Sequence, residues 1–142
     1  MTQAMEQAYL IDSSVPLLHL GEASVAKVAS RAVMRSVLDA SLRAYASTEM
    51  VQEVAFHRRR MTGDPKRAAQ EARDVSAGIV MLAFDHEILD LALDLMATGT
   101  IRGRDAVHAA TAAVYGITKV ISVDRGFDAV PGLERVDPRE LA

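Results

Sequence analysis

Three apolar runs, at residues 8–11, 79–84 and 119–123, are separated by long stretches whose apolar positions recur every three or four residues. This alternation of two periods constrains the fold more than any other feature. Strands joined through helices must run parallel, and the helices must cover the faces of the sheet they connect. The first run stops at Asp12, after which Ser13, Ser14 and Pro16 supply helix-start chemistry. Within 22–42 the residues Val25, Val28, Ala29, Ala32 and Val33 fall at helical spacing. Residues 44–46 form a weaker strand candidate, and Ser47 or Thr48 then caps a helix with the stripe Met50, Val51, Val54 and Ala55. Thr62, Gly63, Asp64 and Pro65 interrupt that helix, and Pro65 opens another through Ser76.

The run 79–84 follows Gly78 without a polar break, which predicts a strand covered on both faces. Asp85 starts a helix with Ile88, Leu91, Ala92, Leu95 and Met96 on one side and Asp90 and Asp94 on the other. A loop at 98–103 leads to an alanine-rich helix from Arg104 to Tyr115, ended by Gly116. The run 119–123 stops at Asp124, and a short edge strand is expected near Arg135 and Val136. The class is therefore α/β: a mostly parallel sheet of four or five strands between two helical layers. At 142 residues, half of them apolar, the chain supports one core and not two, so residues 1–142 are read as one domain.

Absence of cysteine excludes disulfides, thiolate metal sites and a cysteine nucleophile. With no signal-like segment and no apolar run of spanning length, a cytoplasmic protein without membrane attachment is expected. A net charge of −3 argues against coating nucleic acid by bulk electrostatics, and direct DNA binding is not expected. Two local basic runs remain, Arg58-Arg59-Arg60 and Arg102 with Arg104, and these are the candidate nucleic-acid-contacting residues.

In open α/β sheets the working crevice lies outside the carboxyl ends of the strands. Asp12 and Asp124 end strands there, and Asp105 sits in the first turn of the alanine-rich helix, close enough to face the same crevice. Glu53 lies at the margin of its helix's apolar stripe, whereas Glu49 falls nearly opposite it, so Glu53 is the fourth inward candidate. Singly, each acid reads equally well as a turn, cap or surface residue; only their joint placement points to chemistry. Carboxylate pairs about 5 Å apart repel by roughly 3 kcal/mol at an effective dielectric near 20, so a converging cluster calls for a cation. Oxygen ligands select a hard divalent ion, Mg²⁺ or Mn²⁺, which suits phosphodiester hydrolysis. His108, one turn after Asp105, is placed to orient it or touch a phosphate, or simply to pack. No glycine-rich phosphate loop or nucleophile-elbow serine is present.

Residues 9–14, 47–53, 104–110 and 122–127 together resemble the motifs of PIN-domain proteins, and more closely those of VapC-type toxins of toxin–antitoxin pairs. The resemblance spans essentially the whole chain. It implies a Mg²⁺- or Mn²⁺-dependent endoribonuclease, usually a homodimer, held inactive by a cognate antitoxin lying over the active site. By position, Asp12, Glu53, Asp105 and Asp124 match the family's acidic quartet, with Ser14 and Ser122 matching its supporting hydroxyls. The departure is Gly126, where many relatives carry another acid before the Phe, and Asp128 stands outside the core set. The alternative is a non-catalytic PIN-fold interaction module; four retained acids weigh against it. A receiver-type phosphoacceptor or haloacid-dehalogenase-type phosphatase fits less well, because Ser13 and Ser14 follow Asp12 where those folds want a further acid.

Overall fold

Short side chains able to accept a hydrogen bond stand at the breaks between apolar runs, and the helices begin beside them. The computed structural model describes residues 7–141. Strand β1 (Ala8–Ile11) leads to helices α1 (Ser14–Leu20) and α2 (Val25–Leu38), then strand β2 (Arg43–Ser47) and helices α3 (Thr48–Thr62) and α4 (Pro65–Ser76). Strand β3 (Val80–Leu82) precedes helices α5 (His86–Ala97) and α6 (Gly103–Val114). Strand β4 (Lys119–Ile121), a 3-10 turn (Arg125–Ala129), strand β5 (Glu134–Val136) and helix α7 (Pro138–Leu141) follow. Ser24, Ser47, Asp64 and Asp85 cap α2, α3, α4 and α5 by accepting backbone N–H bonds of 3.0–3.1 Å. Helix α3 stops at Gly63, whose φ of +69° suits glycine and returns its N–H to the Arg59 carbonyl.

The five strands pair in the order β3-β2-β1-β4-β5, and every pairing is parallel. Side chains alternate across this sheet. Tyr9, Ile11, Ala44, Ala46, Ile121 and Val136 point into a core shared with α2, α3 and α4. Leu10 and Val120 point the other way, into a core closed by α5, α6 and Phe127. The result is the expected three-layer α/β/α arrangement, with Ala106, Ala109 and Ala110 letting α6 lie close to the sheet. No helix among the described residues is long and apolar enough to cross a membrane.

Some expectations about faces are corrected. Strand β3 is an edge of the sheet, and Val80 is half exposed instead of covered on both sides. In α2 the buried line is Ala29, Ser30, Val33, Met34 and Val37, while Val25 and Val28 face solvent. Both lines are apolar at helical spacing, so periodicity alone does not choose between them. On α5, Met96 is exposed together with Leu89 and Leu93.

Arg58 is not available to RNA. It is buried, and its Nε and Nη2 donate to the two carboxylate oxygens of Glu71 at 3.0 and 3.2 Å, pinning α3 to α4. Arg67 approaches the same carboxylate at 3.6 Å. Removing one member of a buried pair leaves the other desolvated and uncompensated. Arg58→Met is therefore expected to lower unfolding free energy by roughly 3 kcal/mol, at the low end for a broken buried pair because Arg67 remains nearby. Urea unfolding measures this, and a midpoint equal to the wild type's would contradict the pinning role.

Candidate active site

Since all strands run one way, their carboxyl ends share one edge of the sheet. The chain winds from β1 to β2 and β3 on one side, then resumes with β4 and β5 on the other, so the reversal falls between β1 and β4. This is where a doubly wound sheet opens a crevice. Ile11 is in register with Ile121, which sets Asp12 level with Ser122. The Ser122 hydroxyl donates to Asp12 Oδ2 at 2.7 Å, and the Ser14 hydroxyl and N–H donate to Asp12 Oδ1 at 2.6 and 3.1 Å. Ser14 and Ser122, the two hydroxyls the resemblance points to, therefore both bond the Asp12 carboxylate. Burial pushes the Asp12 carboxyl up, against the opposing pull of His108 and these hydroxyl bonds.

Asp124 follows two residues behind Ser122. Its N–H donates to Ser122 Oγ at 2.9 Å, and its Oδ1 accepts the Gly126 N–H at 2.8 Å. From the N-terminus of α6, Asp105 reaches the same place, its Oδ2 and Asp124 Oδ1 both bordering Gly126. A side chain at Gly126 would bring its Cβ to 3.1 Å from both Asp105 Oδ2 and Asp124 Oδ1, so glycine there leaves room for the two carboxylates to meet. Burial, the neighbouring Asp124 carboxyl, and repulsion from Asp12 push Asp105 up to about 7. Asp12, Asp105 and Asp124 therefore form one electrostatic group.

Glu53 belongs to the adjoining wall. It is buried on α3; its Oε1 lies 2.8 Å from His108 Nε2, and its Oε2 accepts the Ser13 hydroxyl at 3.2 Å. Burial alone would lower His108, but the Glu53 bond and the charges of Glu53, Asp12 and Asp105 outweigh it and hold the imidazole above its ordinary range. Its Nδ1 is buried without a hydrogen-bond partner. His108 thus bonds Glu53 and not Asp105. Glu49 is also nearer the site than its helical position suggested: it is partly buried and raised by that burial and by Glu53. Ser13 stands at the N-cap of α1, as the helix-start reading expects, but its hydroxyl makes no capping bond and goes to Glu53 instead.

Among the described residues no group of three or more His, Asp or Glu side chains is set as a ready metal-binding group. Asp12 and Glu53 have their oxygens turned to hydroxyl and imidazole donors, and Asp105 and Asp124 are turned to each other. The donor chemistry nevertheless fits a hard divalent cation. All four acids offer oxygen, and the repulsion that raises Asp105 is what a cation would relieve.

The basic candidates divide. Arg59, Arg60 and Arg102 are exposed, Arg60 lying 5.8 Å from the centre of the Phe56 ring. Arg104 is exposed too, yet its Nη1 donates to His57 Nε2 at 2.8 Å and stands 3.9 Å from Glu53 Oε2. Asp128 turns away from the carboxylates to meet Arg135.

Residues 9–133 match the PIN domain family model. Ribonuclease VapC13 of Mycobacterium tuberculosis is 32% identical over 130 residues, covering 89% of this chain and 98% of its own length. Among solved structures, VapC20 of Mycobacterium tuberculosis, a sarcin-ricin loop cleaving toxin, is similar with a TM-score of 0.70 at 16% identity, over 85% of this chain and 93% of that one. VapBC2 of Rickettsia felis, bound to a promoter DNA fragment, gives 0.69 at 11% identity, over 92% and 98%. These two likenesses bear on the fold.

With Asp105 at about 7 against an ordinary 3.8, the folded chain keeps a proton between those pH values that the unfolded chain has released. Stability from this group is full below the lower value and lost as pH rises through the upper one. His108 and Asp12, both raised, contribute with the same sign. Metal-free protein is expected to be less stable at about pH 8 than at about pH 5, and Asp105→Asn to shrink that difference. Denaturant titrations at the two pH values check this; an undiminished difference in the variant would contradict it.

Proposed function

This chain belongs to the PIN-domain family and, within it, to the VapC ribonucleases, and on that premise we propose that it is a Mg²⁺- or Mn²⁺-dependent endoribonuclease, the toxin of a toxin–antitoxin pair. The observation that carries the reading is the meeting of Asp12, Asp105 and Asp124 in the crevice between β1 and β4, where Asp12 stands level with Ser122 and Asp105 and Asp124 both border Gly126. Asp12, Asp105 and Asp124 would hold the ion, with Glu53 completing the oxygen set. When bound, such an ion polarises a phosphate and acidifies a water.

The chain's own residues divide the remaining work. Ser14 and Ser122 hold both oxygens of Asp12 and fix its rotamer. His108 and Ser13 do the same for Glu53. Arg59, Arg60 and Arg102 supply exposed positive charge for the RNA backbone, and Arg104 stands at the pocket's margin, where a phosphate can compete for it.

Residues 1–142 are taken as one unit, since the sheet draws strands from both halves of the chain. The partners of this reading are a cognate antitoxin and a second copy of the chain. Kinship with VapC proteins, among them the solved VapBC2, supports the first. Exposed Leu89, Leu93 and Met96 on α5 offer an apolar strip that supports the second.

Asp105→Asn keeps the side chain's shape and removes its charge. The variant is expected to fold and to lose at least about a hundredfold in RNA cleavage in Mg²⁺. Inducible expression of the wild type is expected to arrest growth, and of Asp12→Asn to permit it. Equal cleavage by wild type and Asp105→Asn would overturn the proposal.

A further inference from the structure

Asp124 lies outside every strand and helix, on the stretch between the end of β4 and the 3-10 turn. Its immediate bonds are local, to Ser122 Oγ and from Gly126 N–H, and the turn's own first backbone bond, Phe127 N–H to the Asp124 carbonyl, is long at 3.4 Å. Buried Phe127 anchors the far side of this stretch through apolar packing. The near side is held at its start by Ser122 N–H to the Val136 carbonyl at 3.1 Å and Val123 N–H to Ser14 Oγ at 3.3 Å, and a side chain from the next strand ties that start to the segment's far end. Arg135 of β5, only 13% exposed, donates from Nη1 to the Ser122 carbonyl at 3.2 Å and from Nε to Asp128 Oδ1 at 3.0 Å, with Nη2 at 3.5 Å from Asp128 Oδ2. One rigid guanidinium plane therefore grips both ends of the segment 122–128 that carries Asp124. Asp137, 3.8 Å from Nη1 and itself held by Arg139, backs it from behind.

We propose that Arg135, braced by Asp128, is a positioning residue that holds Asp124 where it can act with Asp12 and Asp105. The inference rests on the reading of those acids as the metal-holding set. A hard cation requires its oxygen ligands placed to within a few tenths of an ångström, so a loose segment 122–128 binds it less well. Lysine cannot replace the clamp, because a point charge on a flexible stem does not grip two acceptors from one plane.

The sign of the effect separates positioning from simple electrostatics. Removing a cation beside an acidic site should strengthen Mn²⁺ binding if charge alone matters, and weaken it if Arg135 works as a clamp. Mn²⁺ binding is measured by calorimetry or electron paramagnetic resonance on metal-free wild type, Arg135→Met, Arg135→Lys and Asp124→Asn, well below each melting temperature. Both Arg135 variants are expected to raise the Mn²⁺ dissociation constant about tenfold. In an Asp124→Asn background, Arg135→Lys is expected to add nothing further, which a general loss of structure would not reproduce. Arg135→Lys retains the charge and is the deciding variant if Arg135→Met does not fold. Wild-type or tighter Mn²⁺ binding by Arg135→Lys, with Asp124→Asn impaired, would overturn the clamp alone; unimpaired binding by Asp124→Asn would instead overturn the underlying assignment of the acids.

Discussion

Carboxylates gathered in one buried place resist full ionisation, and burial with the neighbouring Asp124 pushes Asp105 up to about 7. Asp12 adds a third acid whose charge reaches Asp105. Nothing in folding alone rewards this convergence. It persists because the groups around it are committed: both oxygens of Asp12 are held by serine hydroxyls, Glu53 is held by His108 and Ser13, and Gly126 withholds the side chain that would push Asp105 and Asp124 apart. A packed site that keeps like charges together is strained in a way that a divalent cation relieves.

The fold makes the convergence geometrically cheap. In a sheet of one direction every strand ends at the same edge, and the switch in winding between β1 and β4 leaves no crossover to cover the ends of those two strands. Register then does the fine placement, since pairing Ile11 with Ile121 puts Asp12 and Ser122 side by side. The alanines of α6 bring Asp105 close enough to join them. Each acid comes from a different stretch of the chain, so the cluster forms only when β1 and β4 have paired and α3 and α6 have docked beside them.

What was legible in the sequence was local. Asp12 and Asp124 each stand where an apolar run gives way to a turn, and Ser47, Gly63, Asp64 and Asp85 mark helix ends by chemistry that needs no distant partner. What was not legible depended on contacts across the chain. The position of β3 at the edge follows from strand order, which its own residues do not encode. The buried line of α2 was chosen by the sheet from two apolar lines on one helix. His108 and Glu53 are separated by 55 positions, and their bond exists only because α3 and α6 meet at the crevice. Asp128 likewise acquires its role from Arg135 on a neighbouring strand.

The arginines show why a charge run cannot be read as a binding surface from residue type alone. Arg58 and Arg104 both lie in basic runs and both approach a glutamate, yet the two contacts differ in kind. The Arg58–Glu71 pair is buried and forked, so releasing Arg58 would strand a carboxylate in a poorly hydrated place. Arg104 is 61% exposed at 3.9 Å from buried Glu53, whose two oxygens already bond His108 and Ser13 and keep those partners without it. A phosphate can therefore draw Arg104 away at little cost, whereas Arg58 is fixed in the fold. In a chain of net charge −3, burial decides which arginines remain open to a polyanion: Arg59, Arg60 and Arg102 are exposed, and Arg58 is not.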